Sequence, residues 1–271
     1  MQSSDNWSKE EQREVTALEK NKRLLGKEHP DTLRNMSNLA SIYQNQGRWT
    51  DAESLQVAVL EATKRLLGEE HPDTLRSMSN LASTYNNLGQ WSDAEDLKVI
   101  VLEAQQRLLG HEHPDTLISK SNLASIYQNQ GRWSDAEAME ITVLEARKRL
   151  LGQEHPYTLR NMSNLASIYQ NQGRWTDAES LQIAVLNGRK RLLGEEHPDT
   201  LASMSSLAST YRSQGRLSDE EGLQVSILEA RKRLQGQDHP DTLMSMANLL
   251  LTYRSQGRRE LEVGARPHEL S

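Results

Sequence analysis

Histidine followed by proline occurs at His29, His71, His113, His155, His197 and His239, each 42 residues after the last. Histidine is a common metal ligand and a proton carrier near neutral pH. Runs such as Glu69-Glu70-His71 and His111-Glu112-His113 therefore raise metal binding and acid–base catalysis as the first chemistries to weigh. Both need one asymmetric constellation of groups. Here the histidine returns once per 42 residues in nearly the same wording, which suits a helix start, with His as N-cap and Pro at the first helical position. No Gly-rich phosphate loop, GxSxG or HExxH is present. Zero cysteine excludes a disulfide scaffold, a cysteine zinc site and a thiol nucleophile. The expectation is a non-enzyme with no metal and no cofactor.

A second set of residues has binding chemistry. Asn38, Asn80, Asn122, Asn164, Ser206 and Asn248 form one row at 42-residue steps, and Ser41, Ser83, Ser125, Ser167 and Ser209 form another. Asn45, Asn87, Asn129 and Asn171 form a third. An asparagine amide both donates and accepts, so a row of them can pair with the N–H and C=O groups of an extended peptide. A solvated polar face is the plainer reading of the same rows. Two rows are irregular. Arg34, Arg76 and Arg160 share a position with Ile118, Ala202 and Met244, and Arg212 and Arg254 replace Gln44, Asn86, Gln128 and Gln170. Departures of this kind are where specificity, or simple drift, would reside.

The elements that carry these rows follow from the same period. The chain reads as a lead-in, five full repeats over 29–238, a partial repeat over 239–257 and an irregular tail, 258–271. In 29–70, Leu33, Met36, Leu39, Ala40 and Tyr43 recur at helical spacing, and Gly47 supplies a stop. On a 3.6-residue wheel, Arg34, Asn38, Ser41 and Asn45 lie opposite that stripe. A second helix is expected to open on a capping box, Thr50 to Glu53, repeated at Ser92, Ser134, Thr176, Ser218 and, in the lead-in, Ser8. Its apolar stripe is read as Ala52, Leu55, Val59, Leu66 and Leu67, and Gly68 ends it. Trp7, Trp49, Trp91, Trp133 and Trp175 are read as large residues clamping the two helices of each repeat, rather than as an aromatic cage. Residues 7–25 are then a second helix without its first, and 240–256 a first helix.

Only 35% of residues are hydrophobic, too few for one thick core but enough for a thin core running along stacked repeats. The balance of 38 acidic against 32 basic residues gives no nucleic-acid footprint. No apolar run approaches a membrane span and the N-terminus has no signal-peptide core, so a cytoplasmic location is expected.

The wording Leu39-Ala40, Tyr43, Gly47, Trp49 and Ala52 resembles the tetratricopeptide repeat. The 42-residue period, with HPDTL and KRLLG, is similar to the kinesin-light-chain type and to arrays of fungal NOD-like (NACHT or NB-ARC) receptors. Met36 stands where the common pattern has Trp, and Leu217 where Trp recurs. The resemblance implies an all-α right-handed solenoid of stacked antiparallel helix pairs, with the first helices lining a concave groove. It implies a protein- or peptide-binding scaffold, or else the sensing arm of a NOD-like receptor, a cargo adaptor, or a self-associating array. A protein or extended peptide is the expected partner. Weak end-to-end association is expected too, because α-helical cover is missing around Leu249-Leu250-Leu251 unless the tail supplies it.

Overall fold

The computed structural model describes the backbone of residues 2–257 and the side chains of residues 9–257. The readings made for the Trp7 and Ser8 side chains and for the tail 258–271 lie outside the described residues. Two compact units are present, Met1–Ala136 and Glu137–Ser271. The first holds α1 (Gln2–Leu25), α2 (Pro30–Asn45), α3 (Trp49–Leu67), α4 (Pro72–Asn87), α5 (Trp91–Leu109) and α6 (Pro114–Asn129). α7 (Trp133–Leu151) begins at the end of the first unit, and the second holds the rest of it with α8 (Pro156–Asn171), α9 (Trp175–Leu193), α10 (Pro198–Ser213), α11 (Leu217–Gln235) and α12 (Pro240–Ser255).

Every first helix from α2 onward starts as the His-Pro signature predicts. The Nδ1 of His29 accepts from the backbone N–H of Asp31 at 3.2 Å, and Pro30 sits at the first position, where no N–H is needed. The same geometry recurs at His71, His113, His155, His197 and His239. These histidines are caps. Among the described residues no cluster of three or more His, Asp and Glu residues could hold a metal ion.

The capping boxes of α3, α5, α9 and α11 do not form. α3 begins at Trp49, and its N-cap is Arg48, which makes no side-chain cap bond. The reason is the shortness of the link. Gly47, at φ +74°, lets its own N–H bond Gln44 O and the Arg48 N–H bond Tyr43 O, which closes the end of α2. The Arg48 carbonyl then already accepts from Ala52. One residue serves both helix ends, so Thr50 is left inside the first turn. The lead-in helix likewise begins at Gln2, which puts Ser8 in mid-helix rather than at a cap. Replacing Ser134 by alanine is thus expected to change stability by no more than a few tenths of a kcal/mol. His113→Ala, which removes a true cap, should cost about 1 kcal/mol. Thermal melts of the two variants check this, and a larger loss at Ser134 contradicts the assignment.

Apart from Glu53, whose forward positions hold Leu88 and Gln90, the glutamates of the expected boxes reach forward instead. Glu95 accepts from Gln130 and Arg132, both at 2.8 Å, and Glu137 and Glu179 repeat the pattern with Gln172 and Arg174, and with Gln214 and Arg216. Each arginine also bonds the aspartate three residues on and lies over the preceding tyrosine, as Arg48 does with Asp51 and Tyr43, 4.0 Å from the ring centroid. In the first pair, the Gln46 amide and then the Arg48 guanidinium hold the Glu11 carboxyl below its ordinary value.

Each cluster of the core draws on three consecutive helices. Leu18, Leu33, Met36, Leu39, Val59 and Ala62 close the first, and Leu60, Leu75, Met78, Leu81, Val101 and Ala104 the second. In the other unit, Leu186, Leu201, Met204, Leu207, Ile227 and Ala230 do the same. A helix pair therefore completes its core only with the helix before or after it. Leu66 and Leu67 do not join the stripe; they are exposed, as are Leu24, Leu25, Leu108, Leu109, Leu150, Leu151, Leu192 and Leu193. A second helix of 19 residues outruns a first helix of 16 by about one turn, and that turn carries the leucine pair. Trp49, Trp133 and Trp175 are half-buried at the first position of their helices, and Trp91 is exposed. On α12, Leu249 is buried while Leu243, Met244 and Leu251 are exposed.

Candidate peptide-binding face

The wheel drawn from the sequence holds in each unit. In the first, Arg34, Asn38, Ser41 and Asn45 of α2, Arg76, Asn80 and Asn87 of α4, and Asn122 and Asn129 of α6 are all exposed. In the second, Arg160, Asn171, Arg212 and Arg254 are exposed, while Asn164 and Asn248 are half-buried. The first-helix sides opposite the core are thus the polar faces expected.

Several of these side chains already have partners. Arg34 and Arg76 each hold the aspartate three residues before them at 2.8 Å. Asn87 and Asn171 donate to carbonyls of their own helices, and Asn129 donates to the Asn86 amide at 2.8 Å. Two residues are committed more deeply. Asn164 donates to Glu140 at 3.1 Å, and Arg212 binds Glu220 through Nε at 2.7 Å. Both glutamates are fully buried. Arg212 therefore neutralises a buried carboxylate and Asn164 hydrogen-bonds one, and neither is free to serve the outer face alone. Asn122→Ala is expected to leave the melting midpoint nearly unchanged, whereas Asn164→Ala should cost about 1–2 kcal/mol by leaving Glu140 short of a donor. Equal melts for the two variants would show that the Asn164 bond contributes nothing.

Beneath each polar face runs a second row. Gln56, Lys98, Glu140, Gln182 and Gln224 recur at 42-residue steps on the second helices, and all are buried. The signal was present in the sequence: Gln56 falls four residues after Ala52 and three before Val59, inside the apolar stripe. Partners differ along the row. Gln56 Oε1 accepts from Thr84 at 2.6 Å and Gln182 Oε1 from Thr210 at 2.7 Å, and each threonine in turn accepts from a first-helix glutamine, Gln44 or Gln170. Glu140 accepts from Asn161 at 2.5 Å, and Arg147 bridges that asparagine to the Tyr157 carbonyl. Lys98 has Ile126 where those glutamines have threonine. Its ammonium has no hydrogen-bond or ion-pair partner among the described residues.

Clefts open between successive first helices above this row. One of about 390 Å³ lies between α4 and α6, with Lys98, Gln105 and the exposed Leu108 and Leu109 as its α5 floor. A second, of about 190 Å³, lies between the same helices over Ser83, Asn86 and Asn87, and also includes Lys98 and Asn122. In the other unit a cleft of about 160 Å³ lies between α8 and α10, over Gln182 and Arg189.

Repeats of this helix-pair geometry are matched by sequence profiles described as Tetratricopeptide repeat, over residues 31–98, 116–157 and 157–224. The chain belongs to the tetratricopeptide repeat family. Its fold is the TPR-like α-solenoid class. A crystal structure of a Podosopora anserina kinesin light chain with nearly identical TPR-like repeats is 32% identical, with a TM-score of 0.66 over 76% of this chain and 98% of that one. The quorum sensor NprR of B. thuringiensis is 16% identical, with a TM-score of 0.68 over 89% of this chain and 64% of that one, and NprR is also known in complex with its cognate peptide NprX. A STAND protein with a tetratricopeptide repeat sensor, from Pyrococcus horikoshii, is 13% identical, with a TM-score of 0.63 over 90% of this chain and 36% of that one. At these lower identities the likeness is one of fold alone. No curated protein sequence matches the chain. Among the described residues of this TPR protein, no helix is long and apolar enough to cross a membrane.

Proposed function

We propose that this TPR protein is a non-catalytic scaffold whose first-helix faces bind an extended peptide segment of a partner protein. The observation that carries this is the row of exposed amides, Asn38, Asn80 and Asn122, on α2, α4 and α6, beside clefts that open between those helices. Amides at a fixed spacing can satisfy peptide N–H and C=O groups in turn, and side chains of the peptide would enter the clefts. NprR, a neighbour in fold, is a protein of this architecture seen with a peptide.

The test is selection from a displayed peptide library, followed by titration of the selected peptide against Asn80→Ala with Asn122→Ala. The double variant should keep its helicity and melting midpoint, because both residues are exposed. Its affinity should fall about tenfold, the effect of losing one or two modest hydrogen bonds. Unchanged binding would remove these amides from the site. Failure to select any peptide would count against the reading as a whole.

A further inference from the structure

Among Gln56, Lys98, Glu140, Gln182 and Gln224, Lys98 alone carries an amine. It is 2% exposed, yet it lines both clefts between α4 and α6. The equivalent glutamines bond threonines, whereas Lys98 shares its cleft with Ile126 and has no partner among the described residues. Burial without an acceptor favours the uncharged amine and lowers Lys98 from 10.5 to about 8. About half of it is then free amine at pH 8, against roughly 0.4% of a lysine at the ordinary value. A desolvated free amine is a nucleophile.

Access selects the electrophile. A side chain 2% exposed is closed to a modifying enzyme or a bulky acyl carrier. Carbon dioxide is linear, uncharged and three atoms long, so it can reach the amine through the clefts. The surroundings also suit the product. A lysine carbamate keeps one N–H and gains two acceptor oxygens. The Gln105 amide oxygen, which lines the same cleft, is buried without a partner among the described residues and can accept from that N–H. Ser79, Ser119 and Asn122 supply donors for the oxygens. The charged groups lining the cleft from α4 and α6 are Arg76, already paired with Asp73, and Asp115. The product's negative charge lies beyond the buried nitrogen, toward the open cleft.

We infer that Lys98 is a site of reversible carbamylation by carbon dioxide. The Nζ lone pair attacks the carbon and an N–C bond forms. One C=O π pair moves onto oxygen, and the nitrogen loses a proton to water. The products are a carbamate anion and a proton, and nothing is oxidised or reduced. Carbon dioxide thereby changes the charge at the base of the clefts from positive to negative. The inference does not depend on the peptide-binding reading.

The experiment incubates the full chain at pH 8 with ¹³C-labelled bicarbonate, which supplies dissolved carbon dioxide. Carbamates are observed by ¹³C NMR, then fixed by alkylation with triethyloxonium ion and mapped by peptide mass spectrometry. The chain's α-amine, with an ordinary value of about 7.7–8.0, reacts in the same way and serves as the internal control. A carbamate resonance should appear that Lys98→Met lacks. Lys98→Gln, a residue the chain already uses at 56, 182 and 224, is the second variant should the first melt early. Trapped adduct at Lys98 should exceed that at the exposed Lys148 by about tenfold or more. At fixed dissolved carbon dioxide it should fall by more than about tenfold from pH 8 to pH 6, as the amine is protonated. An adduct on the α-amine with none at Lys98 overturns the inference. So does a set of carbamate resonances unchanged in both variants, or labelling of Lys98 no greater than that of Lys148.

Discussion

Replacing Lys98 by methionine is expected to make the protein more stable at pH 7, and to remove a rise in stability that the parent shows between pH 8 and 10.5. Burial disfavours the charged ammonium and pushes Lys98 from its ordinary value of 10.5 down to about 8. Because the folded value lies below the unfolded one, the unfolded chain binds more protons within that window, and stability climbs as pH rises through it. Below pH 8 the penalty is present in full; above 10.5 it is gone. The size of the effect is roughly 3 kcal/mol, since each tenfold change in proton affinity is about 1.4 kcal/mol. Methionine has a similar length and no charge, so it keeps the packing and loses the penalty. The measurement is the difference in unfolding midpoint between parent and variant across pH, which cancels the titration of all other groups. A variant less stable than the parent at pH 7 would mean that the ammonium is well satisfied. A difference that stays flat from pH 7 to 11 would mean that burial does not act on it.

Arg212→Ala should destabilise by about 3 kcal/mol, near the lower end for breaking a buried ion pair, since Arg212 keeps some contact with water. Glu220 takes the place that Ala52, Ala94, Ala136 and Ala178 hold in other repeats, and like them it is fully buried. Its carboxylate is held by Arg212 at the end of α10, with Nε 2.7 Å away and a terminal nitrogen closer still, and by the Thr252 hydroxyl of α12 at 2.8 Å. Without the guanidinium the carboxylate is left buried and uncompensated. Glu220→Ala alone should cost less than about 1 kcal/mol, because Arg212 can turn to solvent and Thr252 Oγ1 also has the Asn248 carbonyl at 3.1 Å. The double variant Arg212→Gln with Glu220→Ala restores the wording of the other repeats. It should match the parent or exceed it. A cycle in which the single losses simply add would show that the two residues do not act as a pair.

These cases mark where reading the sequence alone succeeded and where it did not. Helix positions, the histidine caps, the glycine stops and the division of first helices into apolar and polar sides were legible from residue order. Each of them depends on groups within about one turn, and the 42-residue period repeats the signal in every copy. The capping boxes were misread because a box is also a local pattern, and the pattern does not reveal that Arg48 closes one helix while opening the next. The leucine pairs were misread because periodicity gives a direction around a helix but not the length of the neighbour that would cover it. The role of Arg212 was out of reach in a different way. Its departure from Gln was visible, and so was the departure of Glu220 from Ala, but only packing brings the end of α10 to the start of α11 with the carboxylate sealed beneath. The same holds for Lys98. The sequence by itself determined that a polar residue stands within each second-helix stripe. Tertiary structure decided which of them have partners, because the threonine that answers a glutamine comes 28 residues later on another helix, and at Lys98 that place is filled by Ile126.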